Sequence, residues 1–297
     1  MDKPAIIEVA LNEGADKAVN PHVPYLVDEI AADAVAASRA GASIVHFHAR
    51  NAAGGQELLD ADMCREIMEK ARAGGCEAIL YPTYAPSLPP ETRLSHIWRL
   101  LEKPTSAPLE LIDIIPSQHV GVVRVEARTG RFLPSPFGDG PVFPPDWTRI
   151  HEAGCWPHLG MLDISDLRYV IQAERAGLVP SLPMLLRFVM SQELIMGFPP
   201  TPLALDALLS LIPEDFPYHG IVAPNFVSDG EAVEMLQRHA LARGLGIRVG
   251  LGDSADAYPA ATNAERVSWA VAQVRDAGRV PATPAMVREL FGLSQLA

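Results

Sequence analysis

At 297 residues, 48% hydrophobic and 20% charged, the chain is long enough to bury a full core and stays within the length of one large barrel. Its 24 Lys and Arg against 36 Asp and Glu give a formal net charge of -12, which argues against a general nucleic-acid or anionic-membrane role. With no secretion-type leader, no apolar run of the ~20 residues a membrane span needs, and three cysteines (Cys64, Cys76, Cys155) at no metal-type spacing, a cytoplasmic protein with reduced thiols is expected.

In chain order, short apolar or β-branched runs alternate with segments of helical period. Residues 6–11 predict a first strand and 28–40 a helix; 43–49 and 60–73, then 78–83 and 91–101, repeat the unit, and 109–115 predict a fourth strand. The rhythm breaks from 115 to 157, where 120–127 is strand-like and Pro134, Pro136, Pro141, Pro144 and Pro145 predict an extended loop. It resumes with strands at 158–162, 182–189, 220–224 and 247–251 and helices at 166–176, 201–211, 229–243 and 263–276. Gly41, Gly74, Gly177 and Gly244 stand just past four of the helices, where C-terminal caps belong. Eight strands with intervening helices predict a (β/α)8 TIM barrel over 1–297 as a single domain. Its long loop insertion, around 116–157, would follow the fourth strand on the catalytic face.

Within Ser43-Ile-Val-His-Phe-His-Ala-Arg50, residues two apart on a strand share a face. His46 and His48 therefore project together while Val45 and Phe47 turn toward the helices. Both imidazoles fall at the C-terminal end of the second strand, where barrel enzymes place their chemistry, and two imidazoles there suit one metal ion, zinc by ligand type. The plainer reading, two core histidines bonded to neighbours, is disfavoured by that position. His22, His96, His119, His151, His158, His219 and His239 show no such pairing, although His158 and His219 lie near strands.

At this point the sequence resembles a known family, the β-keto acid cleavage enzymes of the 3-keto-5-aminohexanoate cleavage type. The matching pieces run in order along the chain: Leu11-Asn-Glu-Gly14, Asn20-Pro-His-Val-Pro24, Ala40-Gly-Ala42, His46-Phe-His-Ala-Arg50, Arg248-Val-Gly-Leu-Gly-Asp253, Thr262-Asn-Ala-Glu-Arg-Val267 and Ala282-Thr-Pro-Ala285. The resemblance implies a TIM barrel, zinc held by His46 and His48, and a homo-oligomer, commonly a tetramer. It also implies conversion of a β-keto acid and acetyl-CoA into acetoacetate and a new acyl-CoA. Arg248 and Asp253 match the family's arginine and aspartate, the aspartate acting as base with the arginine keeping it ionised. The ordinary alternative for that pair is a structural ion pair at a strand end. Arg50 would anchor a substrate carboxylate or the loops of the site, and Glu13, ending the first strand, would be an acid, a base or a neighbour of the metal.

The chain departs from the family in three places. Gly252 stands where members carry a glutamate as third zinc ligand, so Glu13 or Asp253 must complete the set; Glu13 near the metal with Asp253 as base is the favoured arrangement, and Glu13 becomes the base if Asp253 ligates. A family serine after the third strand falls on Pro82 with Thr83 beside it, and a threonine at the fourth falls on Asp113, so Thr83 and Asp113 are read as substrate-binding positions that alter the keto acid accepted. Two other readings compete: an amidohydrolase-like metal-dependent hydrolase, which wants further histidines on the fifth and sixth strands, and a diverged barrel that binds metal or acyl-CoA without turnover.

Overall fold

The computed structural model describes residues 4–85, 88–89, 92–103, 105–116, 124–125, 132–133, 145–179, 183–195 and 197–293. Eight parallel strands, β1 (Ile7–Ala10), β2 (Ile44–Phe47), β3 (Ile79–Pro82), β4 (Leu111–Ile114), β7 (Trp156–Met161), β8 (Met184–Ser191), β9 (Tyr218–Asn225) and β10 (Gly246–Val249), form one sheet in the order β3-β2-β1-β10-β9-β8-β7-β4. The sheet rolls until β3 and β4 lie side by side, without ladder pairing between them among the described residues, so the barrel is nearly closed. A two-stranded antiparallel ribbon, β5 (Arg124–Val125) with β6 (Phe132–Leu133), lies within the expected loop insertion; the rest of 120–127 and Pro134, Pro136, Pro141 and Pro144 lie outside the described residues.

Helices cover the outside: α1 (Val27–Ala40), α2 (Ala61–Ala73), α3 (Ser95–Leu101), α4 (Pro145–Glu152), α5 (Ile164–Arg175), α6 (Pro202–Leu209), α7 (Gly230–Ala242), α8 (Leu251–Ser254), α9 (Asn263–Asp276) and α10 (Pro284–Leu290). Most start where the sequence marks them, with Asp60, Asp163, Thr201, Asp229 and Thr262 accepting from the first free backbone N–H groups. Two corrections concern proline and glycine. The expected loop contains the helix α4, because a proline that breaks a helix interior is well placed in its first turn. At the end of α2, Gly74 keeps right-handed backbone (φ -75°) and the left-handed residue is Gly75, at φ 91°. None of the described helices is long and apolar enough to cross a membrane.

Every residue of β1, β2, β3, β4, β7, β8 and β10 is buried, as expected of strands covered by helices on one face and closed on themselves on the other. Val9, Val45, Phe47 and Leu80 belong to the large apolar cluster shared with the helices. The inner face is different in kind. Glu8 of β1 pairs in register with Arg248 of β10, His46 of β2 with Tyr81 of β3, and Asp113 of β4 with His158 of β7. Ionic groups at such depth are tolerated only when paired and hydrogen-bonded. The Tyr81 hydroxyl donates to Glu8 Oε1 at 2.6 Å and accepts from Arg187 at 3.2 Å and Arg248 at 3.3 Å, while Arg248 Nη1 donates to Glu8 at 2.8 Å. This cross-braced layer is the floor of the cavity at the C-terminal ends of the strands.

Candidate active site

A cavity of about 820 Å³ opens above that floor, within the range that encloses small-molecule ligands. It is lined by Glu13, His46, His48, Thr83, Asp113, Arg187, Arg248 and Asp253 along with apolar side chains. The structure thus brings together seven of the eight residues singled out in the sequence, and Arg187 in addition. Arg50 is not among the residues that line it: its guanidinium donates to the carbonyls of Asn12, Ala15 and Gly54 and lies over the Tyr25 ring at 4.1 Å. Of the two roles considered for Arg50, its contacts are those of loop anchoring.

His46 lies within β2, one residue before its end, and His48 follows just beyond the strand, so the backbone of His48 needs a partner other than the ladder. Asn12 supplies it: His48 N–H donates to Asn12 Oδ1 at 2.8 Å and Asn12 Nδ2 returns a bond to the His48 carbonyl at 2.9 Å. Gln56 fixes the ring. Its Nε2 donates to the Glu13 carbonyl at 2.5 Å, which turns its Oε1 toward His48 Nδ1 at 2.9 Å; Oε1 can only accept, so His48 carries its proton on Nδ1 and presents a bare Nε2 to the cavity. That Nε2 is buried without a hydrogen bond and faces Glu13 Oε2 at 3.4 Å, while His46 Nε2 faces Glu13 Oε1 at 3.1 Å. Donor atoms of Glu13, His46 and His48 all lie within 4.8 Å of one another, a set able to hold a metal ion.

Gly252 explains how Glu13 comes to be there. A Cβ at 252 would stand 2.7 Å from Glu13 Cγ and 3.0 Å from the Ala10 carbonyl oxygen, so the room that a side chain at 252 would enter is filled by Glu13. Glu13 reaches it from a strained backbone, at φ 24°. The other non-glycine residue with positive φ among those described, Phe226 at 51°, lines the same cavity.

Arg248 organises the second half of the site. Its Nε and Nη2 grip Asp253 at 2.6 and 3.0 Å, Nη1 holds Glu8, and Nη2 also bonds Glu13. Asn225 Nδ2 adds a bond to Asp253 Oδ1 at 2.9 Å. Across the cavity Arg187 Nη2 donates to both oxygens of Asp113 at 3.0 and 2.9 Å. Thr83 lines the cavity, its hydroxyl donating to the Tyr84 carbonyl. His158 lies beneath the floor, Nδ1 at 3.0 Å from the Tyr81 hydroxyl and Nε2 at 3.3 Å from Glu8, apart from the three-residue group.

Burial pushes all three histidines down, His48 to about 3 and His158 to about 4, with His46 moving the same way. Burial alone would raise the Glu8 carboxyl, but His158, Arg248 and Arg187, with the Tyr81 hydroxyl, draw it down to about 2. With the imidazoles neutral, Glu8, Glu13, Asp113 and Asp253 set four carboxylates against the two guanidiniums of Arg187 and Arg248. Two negative charges are left over, which one divalent cation would balance.

Sequence reading had overlooked Glu8, Tyr81 and Arg187. The signal was present: each is a polar residue inside an otherwise apolar strand, at a position whose side chain points into the barrel.

Two curated relatives, the 3-keto-5-aminohexanoate cleavage enzymes of Acetoanaerobium sticklandii and Fusobacterium nucleatum subsp. nucleatum, are each 26% identical to this chain over 302 and 307 residues, covering 99% of it and 100% of their own length. Among solved structures, ObcA in a ternary complex with a C4-CoA adduct and oxalate superposes with a TM-score of 0.63 at 18% identity, over 92% of this chain and 68% of that one. ObcA with oxaloacetate gives 0.62 at 18% identity, over 92% and 67%. These structures share the fold. The model of the beta-keto acid cleavage enzyme family matches residues 4–293, nearly the whole length, and the chain belongs to that family.

Proposed function

We propose that this chain transfers the acyl group of a β-keto acid to coenzyme A at the expense of acetyl-CoA, yielding acetoacetate and a new acyl-CoA. The observation that carries the reading is the meeting, in one cavity, of the Glu13, His46 and His48 donors with the Arg248–Asp253 pair. The names of the relatives support the β-keto acid, and the CoA adduct in the ObcA complex supports the thioester.

Two neutral imidazoles and one carboxylate form a donor set that zinc favours, and the leftover charge of the cavity fits a divalent ion. His46, His48 and Glu13 would hold it; once bound, it supplies Lewis-acid polarisation of the keto oxygen and offsets the negative charge that gathers there. Asp253 is the base. Fixed by Arg248 and Asn225, it takes a proton from C2 of the keto acid, and the carbanion attacks the acetyl carbonyl of acetyl-CoA with loss of the CoA thiolate. The thiolate then adds to the original keto carbon; the bond from that carbon to C2 breaks, and the proton held by Asp253 returns to C2 as acetoacetate leaves. Arg248 orients Asp253 and holds Glu13 in place through the same guanidinium.

The test is metal analysis of the purified protein followed by incubation with acetyl-CoA and a broad panel of β-keto acids, reading acetoacetate and acyl-CoA. Formation of both products, dependent on both substrates, is expected. A protein that binds zinc yet gives no CoA-dependent turnover on the panel would be a binder that does not catalyse, and the proposal would fail.

A further inference from the structure

The three-residue metal group and the Arg248–Asp253 pair stand on the β1, β2 and β10 side of the cavity. The opposite wall rises from β4, β7, β8 and β9, and apart from Asp113, Arg187, Asn225 and Glu193 its lining is apolar: Ile115, Val189 and Ala223 in its depth, Leu162 half-buried, with Leu194 and Phe226 at the exposed mouth. Its charged groups at depth are already matched. Arg187 Nη2 holds both oxygens of Asp113, and across the cavity Glu13 and Asp253 share Arg248; Glu193 stands at the exposed mouth. Among the described residues, no buried charge along this wall is left to receive a charged end of a substrate.

We infer that the group carried on the keto carbon of the accepted β-keto acid is uncharged and aliphatic, seated on the wall formed by Ile115, Leu162, Val189 and Ala223. The inference rests on the reaction proposed above. A keto acid whose oxygens lie at His46, His48 and Glu13 directs its far end across the cavity onto that wall. The pantetheine arm of the thioester has to reach solvent, so it leaves by the mouth and cannot occupy the deep part. A charged end would lose its hydration there without gaining a partner, whereas an alkyl end removes both its own surface and that of the wall from water. The substrate class thereby differs from the amino-bearing one in the names of the curated relatives.

The test uses the full-length, zinc-loaded protein in two parallel arms. Calorimetric binding of hexanoate, 6-aminohexanoate and adipate reads the wall without any reaction. Turnover of 3-oxohexanoate, 3-keto-5-aminohexanoate and 3-oxoadipate with acetyl-CoA reads it during one. Hexanoate is expected to bind at least about 30-fold more tightly than either charged ligand, and 3-oxohexanoate to exceed both charged keto acids in kcat/KM by about 100-fold. Leu162→Asp, at the partly exposed end of the wall, should lose most of that preference and gain affinity for 6-aminohexanoate while keeping its zinc. Equal or tighter binding of 6-aminohexanoate or adipate by the unaltered protein, or no binding of hexanoate at millimolar concentration, overturns the inference whether or not turnover is seen. A retained preference for hexanoate with no turnover of any keto acid supports the wall assignment and overturns the acetyl-CoA reaction instead.

Discussion

Removing one imidazole from a set of two histidines and one carboxylate leaves too few donors to retain the proposed ion. His46→Ala and His48→Ala should each lose metal and activity together in parallel zinc and turnover assays. Asp253→Asn should keep its metal and lose about 10³-fold in kcat, the scale of a removed general base; loss of metal in this variant would make Asp253 a ligand. Gly252→Ala probes how the third donor arises. Its Cβ would meet Glu13 Cγ at 2.7 Å, so Glu13 must swing away, and zinc affinity should fall about 10-fold or more by chelator competition. The histidine pair was legible in the sequence because a strand's period of two is a local rule. The place of Glu13 was not, because it follows from the contact of a loop with the short helix α8, 239 residues apart, as the numbers 13 and 252 show.

At the scale of elements, the ends of the strands bear the geometry of the site. Asn12, just after β1, exchanges hydrogen bonds with the backbone of His48 just after β2 and also donates to the Pro24 carbonyl. In Asn12→Ala the His48 N–H is left without its acceptor, so unfolding free energy should drop by about 1–3 kcal/mol in urea titrations, with weakened metal retention alongside. An unchanged midpoint would show that water replaces Asn12 without loss. Alternating patterns and cap residues located the eight barrel strands and seven of the helices to within a few residues, since both signals act over one or two turns, but α4, α8 and α10 were not expected. The helix α4 was missed because a proline at a helix start and a proline in a loop look alike until the following residues are seen to pack, as Trp147 and Ile150 do.

For the whole molecule, the polar floor ties stability to pH. His158, His46 and His48 have folded values below their ordinary one of 6.5, so the unfolded chain binds protons that the folded chain refuses. Their stabilising share is complete above pH 6.5 and is lost as pH falls toward the folded values, about 4 for His158. Glu8 acts lower: depressed to about 2 from 4.5, its share is complete above pH 4.5 and is lost as pH falls toward 2. Urea midpoints of the metal-free protein should therefore decline from pH 7 to pH 4.5 by a few kcal/mol in unfolding free energy. His158→Gln should flatten part of that decline, and an unaltered slope in that variant would remove His158 from the account.

The amino-acid sequence alone determined the alternation of strands and helices, hence the barrel, and the presence of His-x-His and Arg-x-x-x-x-Asp at the ends of two of its strands. These are patterns of neighbouring residues, set by backbone periodicity and by side-chain projection. Tertiary structure decided the rest: that Glu13 fills the room left by Gly252, that Arg50 ties loops together, and that Arg187 closes on Asp113 beside an apolar wall. Each of those depends on distances between separate strands once the sheet has curled, and a linear pattern carries no record of them.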